Sequence, residues 1–254
     1  MSMLQNLFKT GLLGPVKKLG LELSKFWPLP VPVTLDTGRM MYVDLRSSVG
    51  RGIFATGKFD PEVFAPLAEV LRPGDTFVDV GANVGYYSMR ALDLIGSAGS
   101  IHAFEIDPRP LRCLKKTILK ENLHNITLHE IAAGEKATTM GFSMKKDCGH
   151  SSLTVDDGKL RVPVGRMDEI IRAQGDSIIR AMKIDIEGAE LPALRGASAL
   201  LEAHHPLLVI ECDEELQEAF GYKPAELYSF LEKMGYSLTP LSGTCSPTIV
   251  ARFL

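Results

Sequence analysis

One short stretch has residue types and spacing suited to cradling a nucleotide: Asp79-Val80-Gly81-Ala82-Asn83-Val84-Gly85. It closes a strand-like run, Thr76–Val80, and opens a helix-like run from Val84 to Ile95. Glu105 ends the next apolar run, Ile101–Glu105. Strand, glycine turn, helix, strand and acid are the parts of a nucleotide-binding βαβ unit. Gly81 would let the backbone approach a ligand with no Cβ in the way. The helix start at Asn83, Gly85 and Tyr86 would offer unpaired N–H groups and a polar side chain. Glu105 could accept from both hydroxyls of a ribose, with Ile106 and Ala132 along an adenine slot.

The spacing then selects among nucleotides. A dinucleotide site reads G-x-G-x-x-G, but positions 81, 83 and 86 hold Gly81, Asn83 and Tyr86. The pattern present, D-x-G-x-N-x-G, places an acid inside the strand and suits an adenosine ligand without a pyrophosphate. S-adenosyl-L-methionine is such a cofactor, and Asp79 with Gly81 would hold its amino-acid end. Two bland readings stand beside these: Asp79 as a cap of the turn, and Glu105 as the ion-pair partner of Arg109.

A second set is Lys183, Asp185 and Glu187, which alternate along an apolar run and so share one face of a strand. Charges in a core strand are costly unless paired or functional. Lys183 and Asp185 therefore either touch cofactor or acceptor, as candidate catalytic groups, or form a structural network with Glu211 on the neighbouring run. Asp185 and Glu187 could bind Mg²⁺, but no third spaced ligand is legible, so no metal is expected. His150, in the polar stretch Gly149–Ser152, is the candidate base for an acceptor hydroxyl; a surface histidine is the alternative.

The strings Phe77–Ser88, Ala103-Phe104-Glu105 and Lys183-Ile184-Asp185-Ile186-Glu187-Gly188-Ala189-Glu190 resemble the FkbM family of methyltransferases. The resemblance covers roughly residues 57 to 212, and K-I-D-x-E-G-A-E is its most specific piece. It departs locally: the family often reads F-E-P-x-P where this chain has Phe104-Glu105-Ile106-Asp107-Pro108. The resemblance implies a class I fold, dependence on S-adenosylmethionine, and O-methylation of a small-molecule or glycan hydroxyl. N-methylation on the same fold, and a cofactor-binding module without turnover, are the alternatives.

The elements that must position these residues follow from the rest of the pattern. Strand-like and helix-like runs alternate from residue 61 to 212, which implies a mostly parallel sheet covered on both faces. Runs at 236–240 and 248–253 lie too close for a helical crossover, so an antiparallel hairpin ends the sheet. The expected fold is α/β, Rossmann-like and seven-stranded. Helices are expected at 61–71, 84–95, from Asp107-Pro108 through Ile118, at 189–203 and from Pro224 to Gly235. Residues 139–164 read as a hairpin-like insertion over the cleft. Residues 1–56 read as an extension of amphipathic helix and hairpin, and 57–254 as the methyltransferase domain.

Composition bounds the remainder. The chain has 254 residues, 45% hydrophobic and 23% charged, with a formal net charge of −3. That suits one α/β core, and without a basic run nucleic acid is not an expected partner. Four scattered cysteines with no C-x-x-C imply neither zinc nor a disulfide framework, and a reduced, cytoplasmic protein. Residues 3–27 are apolar but interrupted by lysines, Gly14 and Pro15, too broken for a membrane span. They admit packing on the domain or on a second copy in a homo-oligomer, a lid, or a helix on a membrane surface.

Overall fold

The computed structural model describes residues 29–145, 147, 151–154, 160–172 and 178–254. The N-terminal segment through residue 28 and His150 lie outside the described residues.

A hairpin of β1 (Val31–Thr34) and β2 (Met40–Val43) turns at Asp36-Thr37-Gly38, with Gly38 at φ +89°. Helices α1 (Ser48–Thr56) and α2 (Pro61–Val70) follow. The central sheet is built from β3 (Thr76–Val80), β4 (Ser100–Phe104), β5 (Ile126–His129), β10 (Ile179–Ile184), β11 (Leu207–Glu211), β12 (Tyr236–Leu241) and β13 (Thr248–Phe253). Its order is β12-β13-β11-β10-β3-β4-β5. The five strands from β11 to β5 are parallel, and β13 is antiparallel to both β11 and β12. This is the seven-stranded class I arrangement expected from the sequence, closing hairpin included.

Both faces of the sheet are covered, so its strands are apolar almost throughout. Phe77, Ile101, Ala103, Ala181 and Val209 point to one core, shared with Ile53, Phe64, Leu67 and Leu92. Val78, Val80, Phe104, Met182, Ile184, Leu208 and Ile210 point to the other. The hairpin residues Val33, Met41 and Val43 belong to the first core. Helix α3 (Tyr86–Ile95) and α4 (Pro108–Lys120) connect β3 to β4 and β4 to β5. Asp107 caps α4 by accepting from Arg109 N–H at 2.9 Å, with Pro108 in the first turn.

Where a hairpin was expected over 139–164, a separate four-stranded sheet forms instead, of β6 (Ala132–Ala133), β7 (Thr138–Ser143), β8 (Ser152–Thr154) and β9 (Leu160–Gly165), in the order β6-β9-β7-β8, with β6 recruited from before the insertion. Phe142, Leu153, Val162 and Val164 make its own core. Helix α5 (Met167–Arg172) then leads back toward β10.

The expected helix 189–203 is two helices, α6 (Glu190–Arg195) and α7 (Ser198–His204). At Gly196 the backbone passes so close to the Gly134 carbonyl that a Cβ would stand 2.0 Å from its oxygen. Asp168 then caps α7, accepting from Leu200 N–H at 3.0 Å and Ala199 N–H at 3.3 Å. Helices α8 (Glu214–Ala219) and α9 (Pro224–Lys233) complete the chain. Among the described residues no helix is long and apolar enough to cross a membrane. Cys113 and Cys212 are buried and Cys245 is exposed, with no disulfide among the described residues.

Candidate functional site

Strands β3 and β10 are neighbours, but their onward connections run to opposite sides of the sheet. Their carboxyl ends therefore splay a crevice, the place where open α/β sheets bind ligands. A cavity of about 440 Å³ lies there. Gly81, Asn83, Tyr86, Glu105, Ile106, Ala132, Lys183 and Asp185 all line it, so the structure brings these expected site residues together. Phe142 and Leu153 of the small sheet line it as well. Asp79 and Gly85 do not.

Glu105 follows β4 and is held by backbone alone. Its Oε1 accepts from Ile106 N–H and Asp107 N–H, both at 2.7 Å, and its Oε2 from Asn83 N–H at 2.8 Å. A carboxylate has roughly four acceptor sites, so about one is left for a ligand rather than the two that a full diol contact needs. Burial pushes its carboxyl up to about 7 against those three bonds. Arg109 does not pair with it; the guanidinium forks onto Asp107 at 2.6 and 3.0 Å.

The glycine turn also has a packing role inside the protein. Gly81 has φ +77°, and a Cβ there would stand 1.9 Å from the Asp185 carbonyl oxygen. The missing side chain thus allows close packing of two loops, and Gly81 remains on the cavity wall. Gly85, at φ +86°, backs onto Leu114 of α4. Asn83 sits at φ +52° and turns its Oδ1 back to accept from Val84 N–H at 2.8 Å.

Asp79 is fully buried behind the cavity wall. Its Oδ2 accepts from Ser88 Oγ–H at 2.6 Å and Ser88 N–H at 3.1 Å, which clamps β3 to α3. Its Oδ1 is sealed from solvent without a hydrogen-bond partner. Burial raises its carboxyl, with Lys183 and Ser88 pulling the other way.

Lys183 is the register partner of Asp79 and is 4% exposed. Its ammonium donates to the Gly81 carbonyl at 3.0 Å, pairs with Asp185 Oδ2 at 3.0 Å, and lies 5.1 Å from the centre of the Tyr87 ring. Burial opposes its charge, but Asp185, Asp79 and Glu211 together prevail and hold it above the usual lysine range. It stays an ammonium and cannot act as a base near neutrality.

Strand β10 stops at Ile184, so Asp185 and Glu187 occupy a loop beyond it rather than one strand face. Glu187 takes φ +57° and Gly188 φ +103°. Glu190 braces this loop, accepting from Ile186 N–H at 3.2 Å and Gly188 N–H at 3.0 Å, and Tyr222 Oη stands 3.1 Å from its other oxygen. Within the K-I-D-x-E-G-A-E string, Lys183 and Asp185 thus reach the cavity, Gly188 passes against the Leu216 carbonyl, and Glu190 fixes the loop.

Glu211 ends β11 beside this loop. Asp185, Glu187 and Glu211 bring one carboxylate oxygen each within 4.8 Å of the others, so Glu211 adds a third carboxylate that strand spacing did not place there. Burial first, and Asp185 next, push Glu187 up to about 8 and Glu211 up to about 10. Tyr87, Phe59, Cys245 and Ser246 also line the cavity and were not expected there. Tyr87 carries a helix-core signal in the sequence; the other three come from connecting segments with no motif.

Comparisons with known proteins bear on the family and the fold. The family model described as Methyltransferase FkbM domain matches residues 79–238. No curated protein matches. A crystal structure of methyltransferase FkbM from Methylobacillus flagellatus KT shares the fold at TM-score 0.52 and 19% identity, over 79% of this chain and 52% of that one. The chain thus spans about half the length of that protein. A putative rRNA-methylase from Clostridium thermocellum superposes at TM-score 0.49 and 14% identity, over 76% of this chain and 95% of that one. A putative methyltransferase from Streptococcus mutans in complex with SAH gives 0.48 and 14%, over 78% and 99%. With a family match across most of its length and the sheet order that the fold requires, the chain belongs to the FkbM methyltransferase family.

Proposed function

We propose that this chain is an S-adenosylmethionine-dependent O-methyltransferase acting on a small-molecule or glycan hydroxyl. The observation that carries the reading is one cavity with Glu105 at its nucleoside end and the Lys183–Asp185 pair at the other. Glu105 has an acceptor site left for one ribose hydroxyl. Ile106 and Ala132 offer apolar walls for an adenine. The bound cofactor would supply a methyl group on a sulfonium, which leaves as a neutral thioether with the C–S electron pair.

An alcohol is a weak nucleophile until its proton has somewhere to go. Asp185 can receive that proton, because its side chain is 39% exposed, lines the cavity, and is fixed by Lys183. Lys183 holds the turn at Gly81 with the same ammonium, so it fixes the distance between cofactor turn and carboxylate. Lys183 is in this reading a positioning group, and proximity supplies much of the rate. His150 is a second candidate for the proton.

Calorimetry with S-adenosylhomocysteine and with NAD tests the assignment. Micromolar binding of the first and none of the second is expected. Binding of NAD alone would overturn it. Cofactor binding with no transfer to any alcohol in a broad acceptor panel would favour a module without turnover.

A further inference from the structure

Helix α4 concentrates positive charge in a chain that is acidic overall. Its 13 residues hold Arg109, Arg112, Lys115, Lys116 and Lys120 and no acid, against a formal net charge of −3 for the whole molecule. Pro110, Leu111, Leu114 and Thr117 are buried in the core. Arg112, Lys115, Lys116, Leu119 and Lys120 recur at helical spacing and form the outer stripe. Leu119 stands 76% exposed among these cations. Arg109 lies apart from them, committed to Asp107.

The β1–β2 hairpin extends this face. Tyr42 N–H donates to Thr117 Oγ1 at 2.9 Å, and the Lys116 ammonium lies 4.3 Å from the centre of the Tyr42 ring. Val31 is the register partner of Val43, so the chain enters β1 next to Tyr42, beside α4. Leu29, just before that strand, is 55% exposed. The preceding 28 residues carry four lysines against one glutamate, with leucines, phenylalanines and a tryptophan between them. We propose that the outer stripe of α4 and residues 1–28 dock the protein together on an anionic phospholipid bilayer.

Charge and apolar character together select this partner. Lysine and arginine are attracted to an anionic headgroup surface within a Debye length of it. The rest of the molecule carries the excess of acid, so repulsion turns it outward and sets one orientation. Glu121 and Glu130 border the stripe, but two acids against four cations leave it positive. The bond of Glu130 to Lys115, at 2.6 Å, joins two exposed side chains and is weakened by water and salt. An exposed leucine between cations fits the boundary of headgroups and acyl chains, where it leaves water. A polynucleotide would use the charges and leave Leu119 without a role. One modest membrane signal gives marginal attachment and two make it stable; the stripe is one and the lysine-bearing apolar segment the other. This inference stands apart from the methyltransferase reading.

The test is sedimentation of the full chain with vesicles of phosphatidylcholine alone, and with vesicles in which about a third of the lipid is phosphatidylglycerol. Binding to the mixed vesicles is expected to be at least about tenfold stronger and to fall as salt is added. Lys115→Glu, Lys116→Glu and Lys120→Glu together should cut it by about tenfold or more, and so should Lys17→Glu with Lys18→Glu. Lys136→Glu, Lys223→Glu and Lys233→Glu together change net charge as much from outside the face, and should cost about threefold at most. Leu119→Ser should weaken binding by about threefold or more, which a merely solvated charged face would not show. Far-UV dichroism should match the unaltered chain in each variant. Equal binding to the two vesicles, binding to neither, full binding by the α4 variant, or a preference for a uridine oligonucleotide over the anionic vesicles would overturn the inference.

Discussion

Glu105 is a half-buried carboxyl poised to titrate near neutrality, because desolvation raises it to about 7 against three backbone N–H bonds, with no cation to hold it down. A ribose hydroxyl bonds its ionised form best, so cofactor binding should release a proton. Affinity for S-adenosylhomocysteine is expected to rise with pH through about 7 and then level off. Isothermal titration from pH 6 to 8 checks this, and Glu105→Gln should bind more weakly with a flat profile. Asp185→Asn should lower transfer by about 100-fold or more, the scale of a general base, with S-adenosylhomocysteine affinity nearly unchanged and the thermal midpoint lowered but the chain still folded, since Lys183 keeps its bond to the Gly81 carbonyl. A loss of folding instead would make Asp185 part of the framework. Glu105 was legible because its position after an apolar run says where it stands. The depth of Asp79 was not: its strand face depends on where α3 docks, which residue spacing does not encode.

At the scale of elements, the loop between β10 and α6 carries the site and is held from outside it. Tyr222 Oη reaches Gly188 O at 2.9 Å, Glu190 Oε2 at 3.1 Å and Leu191 N at 3.3 Å. Tyr222→Phe should destabilise the fold by ~1–3 kcal/mol, the cost of stranding buried polar groups, and raise the KM for the acceptor more than that for the cofactor. Urea denaturation and steady-state kinetics separate the two effects. Gly81→Ala should cost more than ~1 kcal/mol, since it needs both a left-handed backbone and room that the Asp185 carbonyl fills. Most elements were legible as alternating apolar runs with caps such as Asp107-Pro108. The break between α6 and α7 was not, because a carbonyl and a capping aspartate from distant segments impose it. Helix α8 did leave a signal, Asp213 followed by Glu214 and Glu215, and Asp213 does cap it, accepting from Leu216 N–H at 3.1 Å.

For the whole molecule, the raised carboxyls set the pH dependence of stability. Glu105, Glu187 and Glu211 keep their protons in the fold up to about 7, 8 and 10, against 4.5 for the ordinary group. The unfolded chain sheds those protons first, so each contribution is lost as pH climbs from 4.5 through its folded value. His129 acts in the opposite direction: burial, then His102, lowers it to about 4, so its contribution is lost as pH falls from 6.5 toward 4. The thermal midpoint should therefore decline from pH 7 to 9, and Glu211→Gln should flatten the decline; scanning fluorimetry across that range decides. A different consequence comes from the bond between Lys183 Nζ and the Gly81 carbonyl, whose ends are 102 residues apart. Strand β3 meets β4 soon after it leaves the ribosome, but its other flank waits for β10. Until residue 184 emerges, a wholly buried strand of the finished sheet has one open edge, apolar and ready to pair with a neighbouring chain. Pausing of translation between the small sheet and β10 is expected to favour aggregation, and truncation before Ile179 to leave a chain that aggregates and does not bind S-adenosylhomocysteine.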